Sequence, residues 1–119
     1  MAFHNDLGAK AEQIAVDFLI KKGYVILEKN YRYRKAELDI IAQKESILAI
    51  VEVKTRSASF LEGLEQTIGK RKIQLLSTAA EFYVQQQDLE VDVRFDVVLV
   101  IFQGDKVSIE HWEDAFYHF

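Results

Sequence analysis

The chain has 119 residues, half of them hydrophobic and 29% charged, which suits one small packed domain and is too apolar for a disordered segment. It carries no Cys, which excludes a disulfide scaffold, a thiolate metal site and a Cys nucleophile. The longest uninterrupted apolar run, 97–102, is too short to span a bilayer, and the first residues hold no apolar signal region, so a cytoplasmic protein with no membrane partner is expected.

The net charge of −4 is unevenly spread. Residues 1–72 hold 13 Lys and Arg against 10 Asp and Glu, whereas residues 73–119 hold 2 against 9. One basic face beside an acidic segment fits this pattern, and a mixed solvated surface fits it equally.

Asn5 or Asp6 is placed to cap a first helix, in which Ala11, Ile14, Ala15, Phe18 and Leu19 recur at helical spacing. Lys21 and Lys22 suit its C-terminus, and Gly23 its end. Residues 24–27 read as a short strand, and the polar, basic and aromatic stretch 30–35 as a turn or strand edge. Residues 37–42 and 47–54 read as strands joined through a hairpin connection at 43–46. A loop over 57–63 leads to a second helix over about 64–86, with a stripe of Ile73, Leu76, Ala80 and Tyr83. Residues 94–102 form a third long strand, and 107–109 a short one after a turn at Gly104-Asp105. The aromatic-rich stretch 112–119 is expected to pack on the core or on a partner. Helix, three strands, helix, two strands implies a single α/β domain over 1–119, a mixed sheet flanked by helices.

Two strand segments carry charges that a buried strand does not favour. They are Glu37-Leu38-Asp39, and Glu52-Val53-Lys54 at the end of the apolar run Ile47-Leu48-Ala49-Ile50-Val51. Side chains alternate along a strand, so Glu37 shares a face with Asp39, and Glu52 with Lys54. If the two faces coincide across the hairpin, three carboxylates and an ammonium converge. Crowded carboxylates repel one another, and a hard divalent cation removes that repulsion. A metal held there would acidify water and neutralise charge on a phosphodiester, with Lys54 beside the developing charge. A structural ion pair at a strand end is the competing reading.

Asp39, a spacer of 12, then Glu52-Val53-Lys54 resembles the PD-(D/E)xK nuclease core. More closely, the chain resembles the YraN-like family of small predicted endonucleases, relatives of archaeal Holliday-junction resolvases. The matching segments are Gly23-Tyr24, Ile26-Leu27, Asn30-Tyr31-Arg32, Glu37-Leu38-Asp39-Ile40-Ile41-Ala42, Val51-Glu52-Val53-Lys54-Thr55-Arg56, Lys70, Ala79-Ala80, Arg94-Phe95-Asp96-Val97-Val98 and Ala115-Phe116. The resemblance implies a restriction-endonuclease-like fold and Mg²⁺- or Mn²⁺-dependent hydrolysis of nucleic acid, DNA above all. It implies Asp39 and Glu52 as metal ligands with the Val53 backbone carbonyl as a third, Lys54 as the catalytic lysine, Glu12 as a further ligand and Glu37 in or near the site. A non-catalytic nucleic-acid-binding or protein-interaction module with the same fold is the alternative, and a homodimer would suit a junction-type substrate. The chain departs from the pattern at Leu38, where the superfamily has Pro, at Ala36, where the family has Gly, and over 57–63, which lacks the usual Phe-Gly pair.

Arg32, Arg34 and Lys35, interleaved with Tyr31 and Tyr33, are candidate contacts to a phosphate backbone, or else a solvated hairpin edge. Lys70, Arg71 and Lys72 would sit near a helix start, where phosphate binding and simple exposure are both open, and Arg56, which follows the acidic segment, is a further candidate nucleic-acid contact near the scissile bond, or else a surface ion pair. Residues 63–70 fail as a nucleotide-binding P-loop, with one residue too many and Arg71 where Ser or Thr is needed, so no nucleotide cofactor is expected. His4, His111 and His118 have no ligand spacing, and no nucleophile elbow of a serine hydrolase is present. Arg94 and Asp96 are expected to form a structural pair.

Overall fold

The structure, a computed structural model, describes residues 2–56 and 69–115. The element order is α1 (Ala2–Lys21), β1 (Val25–Tyr33), β2 (Ala36–Lys44), β3 (Ile47–Arg56), α2 (Lys70–Gln86), β4 (Asp92–Gln103) and β5 (Lys106–Trp112), in the expected sequence of helices and strands. The five strands form one sheet in the order β1-β2-β3-β4-β5. β1–β2, β2–β3 and β4–β5 pair antiparallel, and β3–β4 pair parallel, so the sheet is mixed. The crossover that a parallel pair requires carries α2.

The helices cover opposite faces. Ala11, Ala15, Val16 and Leu19 of α1 pack with Ile40, Ala42, Ala49, Val51, Val98 and Val100. Leu76, Ala79, Ala80 and Tyr83 of α2 pack with Leu38, Ile41, Leu48, Ile50, Val97 and Leu99. β2, β3 and β4 are thus buried on both sides, which is why their sequences read as near-continuous apolar runs. β5 closes one edge and is mostly exposed, with Lys106 at its start.

Some sequence expectations need correction. α1 begins at Ala2, so Asn5 and Asp6 lie inside the helix rather than at its cap. Gly23 does end it, in a left-handed conformation (φ 98°) that a side chain rarely adopts. Of the two readings of 30–35, strand edge holds for residues 30–33 and turn for Arg34 and Lys35, so β1 runs beyond the expected 24–27. Paired with β2, this polar stretch needs no apolar alternation of its own, because β1 is an edge strand. The hairpin between β2 and β3 turns at Glu45 and Ser46, and that between β4 and β5 at Gly104-Asp105. α2 is described from Lys70; the expected loop over 57–63, the helical start at 64–68 and the end of the aromatic segment at 116–119 lie outside the described residues.

Candidate active site

The alternation of β2 breaks at Asp39. Ala36 and Leu38 face α2, whereas Ile40 and Ala42 face α1. The β1–β2 register passes from Lys29↔Ile40 to Tyr31↔Leu38, skipping Asn30 and Asp39, and Asn30 takes a positive φ of 54°. The β2–β3 register runs from Lys44↔Ile47 to Ile40↔Val51 and stops there. The strands therefore part where the acidic residues begin. The Asp39 carboxylate enters the gap and its Oδ2 accepts a hydrogen bond from the Val53 N–H at 2.9 Å. This satisfies an amide that the ladder no longer serves.

On the α1 side of the sheet, an open pocket of about 450 Å³ is lined by Gly8, Ala11, Glu12, Asn30, Glu37, Asp39, Val53 and Thr55. Asn30 Nδ2 donates to Glu12 Oε1 at 2.9 Å, fixing the helix carboxylate against the strand. Glu37 also meets Arg32, Nε to Oε2 at 3.5 Å.

Glu52 points the other way. It is 3% exposed, and its Oε2 lies 2.9 Å from Lys72 Nζ on α2. Lys54, two residues on, falls on the same face by strand alternation. The expectation that both acidic strand faces coincide is thus corrected: Glu37 and Asp39 line the α1-side pocket, while Glu52 is held from the α2 side. The charges still interact across the gap. Burial, then the Glu52 charge, pushes the Asp39 carboxyl up to about 7; the Val53 N–H and Lys72 act against this, and Glu12 adds to it. Burial and then the Lys72 charge hold the Lys54 ammonium below its ordinary range, against the pull of Glu52 and Asp39. Burial works most strongly against the charge on Lys72, but the bond to Glu52, the Glu52 and Asp39 charges and a contact with Lys54 together outweigh it and raise the group above its ordinary range.

A second groove, of about 420 Å³, opens between the β1–β2 turn and the start of α2 and is lined by Lys35, Ala36, Glu37, Arg71, Lys72, Leu75 and Leu76. Of the basic candidates, the structure gathers Lys35, Arg71 and Lys72 here. Arg34 lies over the Tyr33 ring, 5.2 Å from its centroid, and Tyr33 stacks on Phe82 at 4.3 Å. Arg56 donates to the Thr55 carbonyl at 2.7 Å, and Lys70 is exposed at the helix start; neither lines the groove.

Away from these pockets, Asp96 is wholly buried and holds β4 to its surroundings. It takes two bonds from Arg94, at 2.9 and 2.8 Å, one from the Asp114 N–H at 3.1 Å, and contacts His111 Nε2 at 2.8 Å. Arg94 also reaches the Tyr24 hydroxyl, and Lys22 Nζ lies 2.7 Å from His111 Nδ1. The expected Arg94–Asp96 pair is present; the His111 and Lys22 contacts join residues far apart in the chain and leave no local signal. Asn30 and Thr55 also line the α1-side pocket, and the signal for them in the sequence is a polar residue inside a strand segment.

A five-stranded mixed sheet with α1 on one face and α2 on the other makes this a single α/β domain, consistent with the restriction-endonuclease-like class. A family model described as "Uncharacterised protein family UPF0102" matches residues 11–100, and the chain belongs to this UPF0102, or YraN-like, family. Relatives described as UPF0102 proteins share its full length. That of Flavobacterium psychrophilum is 53% identical over 119 residues and that of Christiangramia forsetii 45% over 119, each alignment covering 100% of both chains. That of Bacteroides thetaiotaomicron is 42% identical over 117 residues, covering 98% of this chain and 97% of its own. No helix among the described residues is long and apolar enough to cross a membrane.

Proposed function

We propose that the protein is a divalent-metal-dependent nuclease that hydrolyses phosphodiester bonds of nucleic acid, DNA above all. The observation that carries this reading is the half-buried Asp39 carboxyl, which feels the Glu52 charge across the gap where β2 and β3 part, with Lys54 close by. Two carboxylates so placed oppose each other's ionisation, and a hard cation relieves that opposition. The donor set is all oxygen, which fits Mg²⁺ or Mn²⁺. Among the described residues no group of three or more His, Cys, Asp or Glu is close enough to hold an ion. One or two carboxylates suffice for Mg²⁺ when substrate phosphate supplies further oxygens.

Asp39 and Glu52 would hold the ion with the Val53 carbonyl, and Glu12 stands ready in the adjoining pocket. The bound ion would supply an acidified water and a counter-charge for the phosphoryl oxygens. Lys54, relieved of part of its hydration by burial, offers a donor to the developing charge or orients the attacking water. Lys35, Arg71 and Lys72 position the phosphate backbone, with no sequence preference of their own. The setting is cytoplasmic, and a homodimer would suit a branched substrate.

A second reading, a nucleic-acid-binding module without cleavage, is favoured by the Lys72 ammonium already seated on Glu52. Incubation of linear, branched and single-stranded DNA with Mg²⁺ or Mn²⁺ separates the two. Cleavage by wild type that Asp39→Ala, Glu52→Ala and Lys54→Ala each abolish supports the nuclease. Binding in all four proteins with cleavage in none supports the module.

A further inference from the structure

We propose that Lys72 is a positioning residue that competes with a divalent cation for the Glu52 carboxylate and, once displaced, meets a phosphate in the groove it shares with Lys35 and Arg71. This rests on the nuclease reading. Glu52 is 3% exposed, and a buried carboxylate needs a cationic partner. Lys72 is that partner at 2.9 Å. A divalent ion at Glu52 and Asp39 would come up against two ammonium groups, Lys54 and Lys72, and like charges in so small a space exclude one another.

The two lysines differ in freedom. Lys54 stands on β3, paired through the parallel register with Leu99 of β4 in the middle of the sheet. Lys72 reaches in from the third residue of α2 on a flexible stem, with 44% of its side chain exposed. Lys72 is therefore the one that yields. Its other surroundings receive it: Lys35 and Arg71 line the same groove, and the one carboxylate among its described lining residues, Glu37, is already paired with Arg32, so the groove keeps a basic surplus that an entering anion offsets. A nucleic-acid phosphate is that anion. Its arrival and the cation's arrival then favour each other, because each draws Lys72 away from Glu52 or fills the place it leaves.

Calorimetric titration with Mn²⁺ alone, without nucleic acid, tests the competition. Lys72→Met is expected to bind Mn²⁺ on the order of tenfold more tightly than wild type, the size of one screened charge repulsion. Lys72→Arg, which keeps the charge, is expected to bind as wild type does. Lys72→Gln serves as a second neutral variant should the Met protein misfold, with circular dichroism as the check. In a separate titration with a duplex oligonucleotide, Lys72→Met is expected to lower the salt dependence of binding by about one ion. Mn²⁺ binding by folded neutral variants no tighter than wild type, while Glu52→Gln weakens it, overturns the competition and leaves the nuclease reading standing. Absence of Mn²⁺ binding in every protein, wild type included, overturns both.

Discussion

Asp39 and Val53 meet where their two strands stop pairing: the Val53 amide hydrogen points at Asp39 Oδ2 across 2.9 Å. One carboxylate oxygen thus finishes a strand ladder while the side chain remains among other acids. The group is held by its backbone bond and unsettled by its neighbours, a combination that has a measurable dependence on pH.

In the folded chain Asp39 keeps its proton up to about 7, against an ordinary value of 3.8. The native state binds more protons than the unfolded one across that interval, so stability is full at the acid end and falls as pH rises through about 7. The expected loss is roughly 1–2 kcal/mol after allowance for solvent screening. Urea unfolding across this range measures it. Asp39→Asn should flatten the profile, and a mutant profile parallel to the wild-type one contradicts the assignment.

Asp96 has the opposite sign. Burial disfavours its charge, but bonds from His111, Arg94 and the Asp114 amide outweigh burial and hold it below the usual carboxylate range. Its contribution is present above the unfolded value and disappears as pH falls through the folded one. Asp96→Asn breaks a buried pair on one side and should cost roughly 3–5 kcal/mol in chemical denaturation. A loss under ~1 kcal/mol would show that the network is incidental to stability.

Asn30 combines a left-handed backbone with a bond to Glu12. Asn30→Ala puts a Cβ into a disfavoured conformation and removes the bond, and should cost roughly 1–2 kcal/mol. Asn30→Gly relieves the backbone and loses only the bond, so it should unfold at higher denaturant than the Ala variant. The reverse order in denaturation midpoints would show that the positive φ is not a constraint there.

Charge reversal in the groove should act on binding rather than folding. Lys35 and Arg71 are exposed, so Lys35→Glu and Arg71→Glu are expected to leave thermal melting within a few degrees of wild type. Each should weaken binding to duplex DNA uniformly across sequences and make it less salt-dependent, as filter-binding at several salt concentrations would read. Unchanged affinity in both would remove this groove from the substrate path.

Both helices and strands β2 to β4 are legible in the sequence because their apolar residues recur with the period of the element that buries them, whereas β5, mostly exposed, extends over Lys106–Trp112 beyond the expected 107–109. Ala11, Ala15 and Leu19 on one helix and Leu76, Ala80 and Tyr83 on the other are all core. The far half of β1 is not legible, because Asn30 to Tyr33 are polar and aromatic and an edge strand draws its hydrogen bonds from a neighbour that local composition does not reveal. Spacing brought Asp39 and Glu52 together but not their opposite approach to the gap, because that depends on a break in alternation at a single residue. The Lys72–Glu52 and Asp96–His111 contacts depend on tertiary packing, and a lysine in a basic run or a lone histidine looks like surface until the helix or strand opposite is in place.

β3 pairs along its whole length with β4, its partner only after the crossover that carries α2. During synthesis, β1 to β3 and their hairpins leave the ribosome first, with the strongly apolar Ile47–Arg56 strand as an open edge. Until Asp92–Gln103 emerges and docks, that edge is a template for unwanted pairing, and closing so distant a contact is slow. Lys72 emerges before β4, so the nascent chain has a counter-ion for Glu52 in hand as its last central strand arrives.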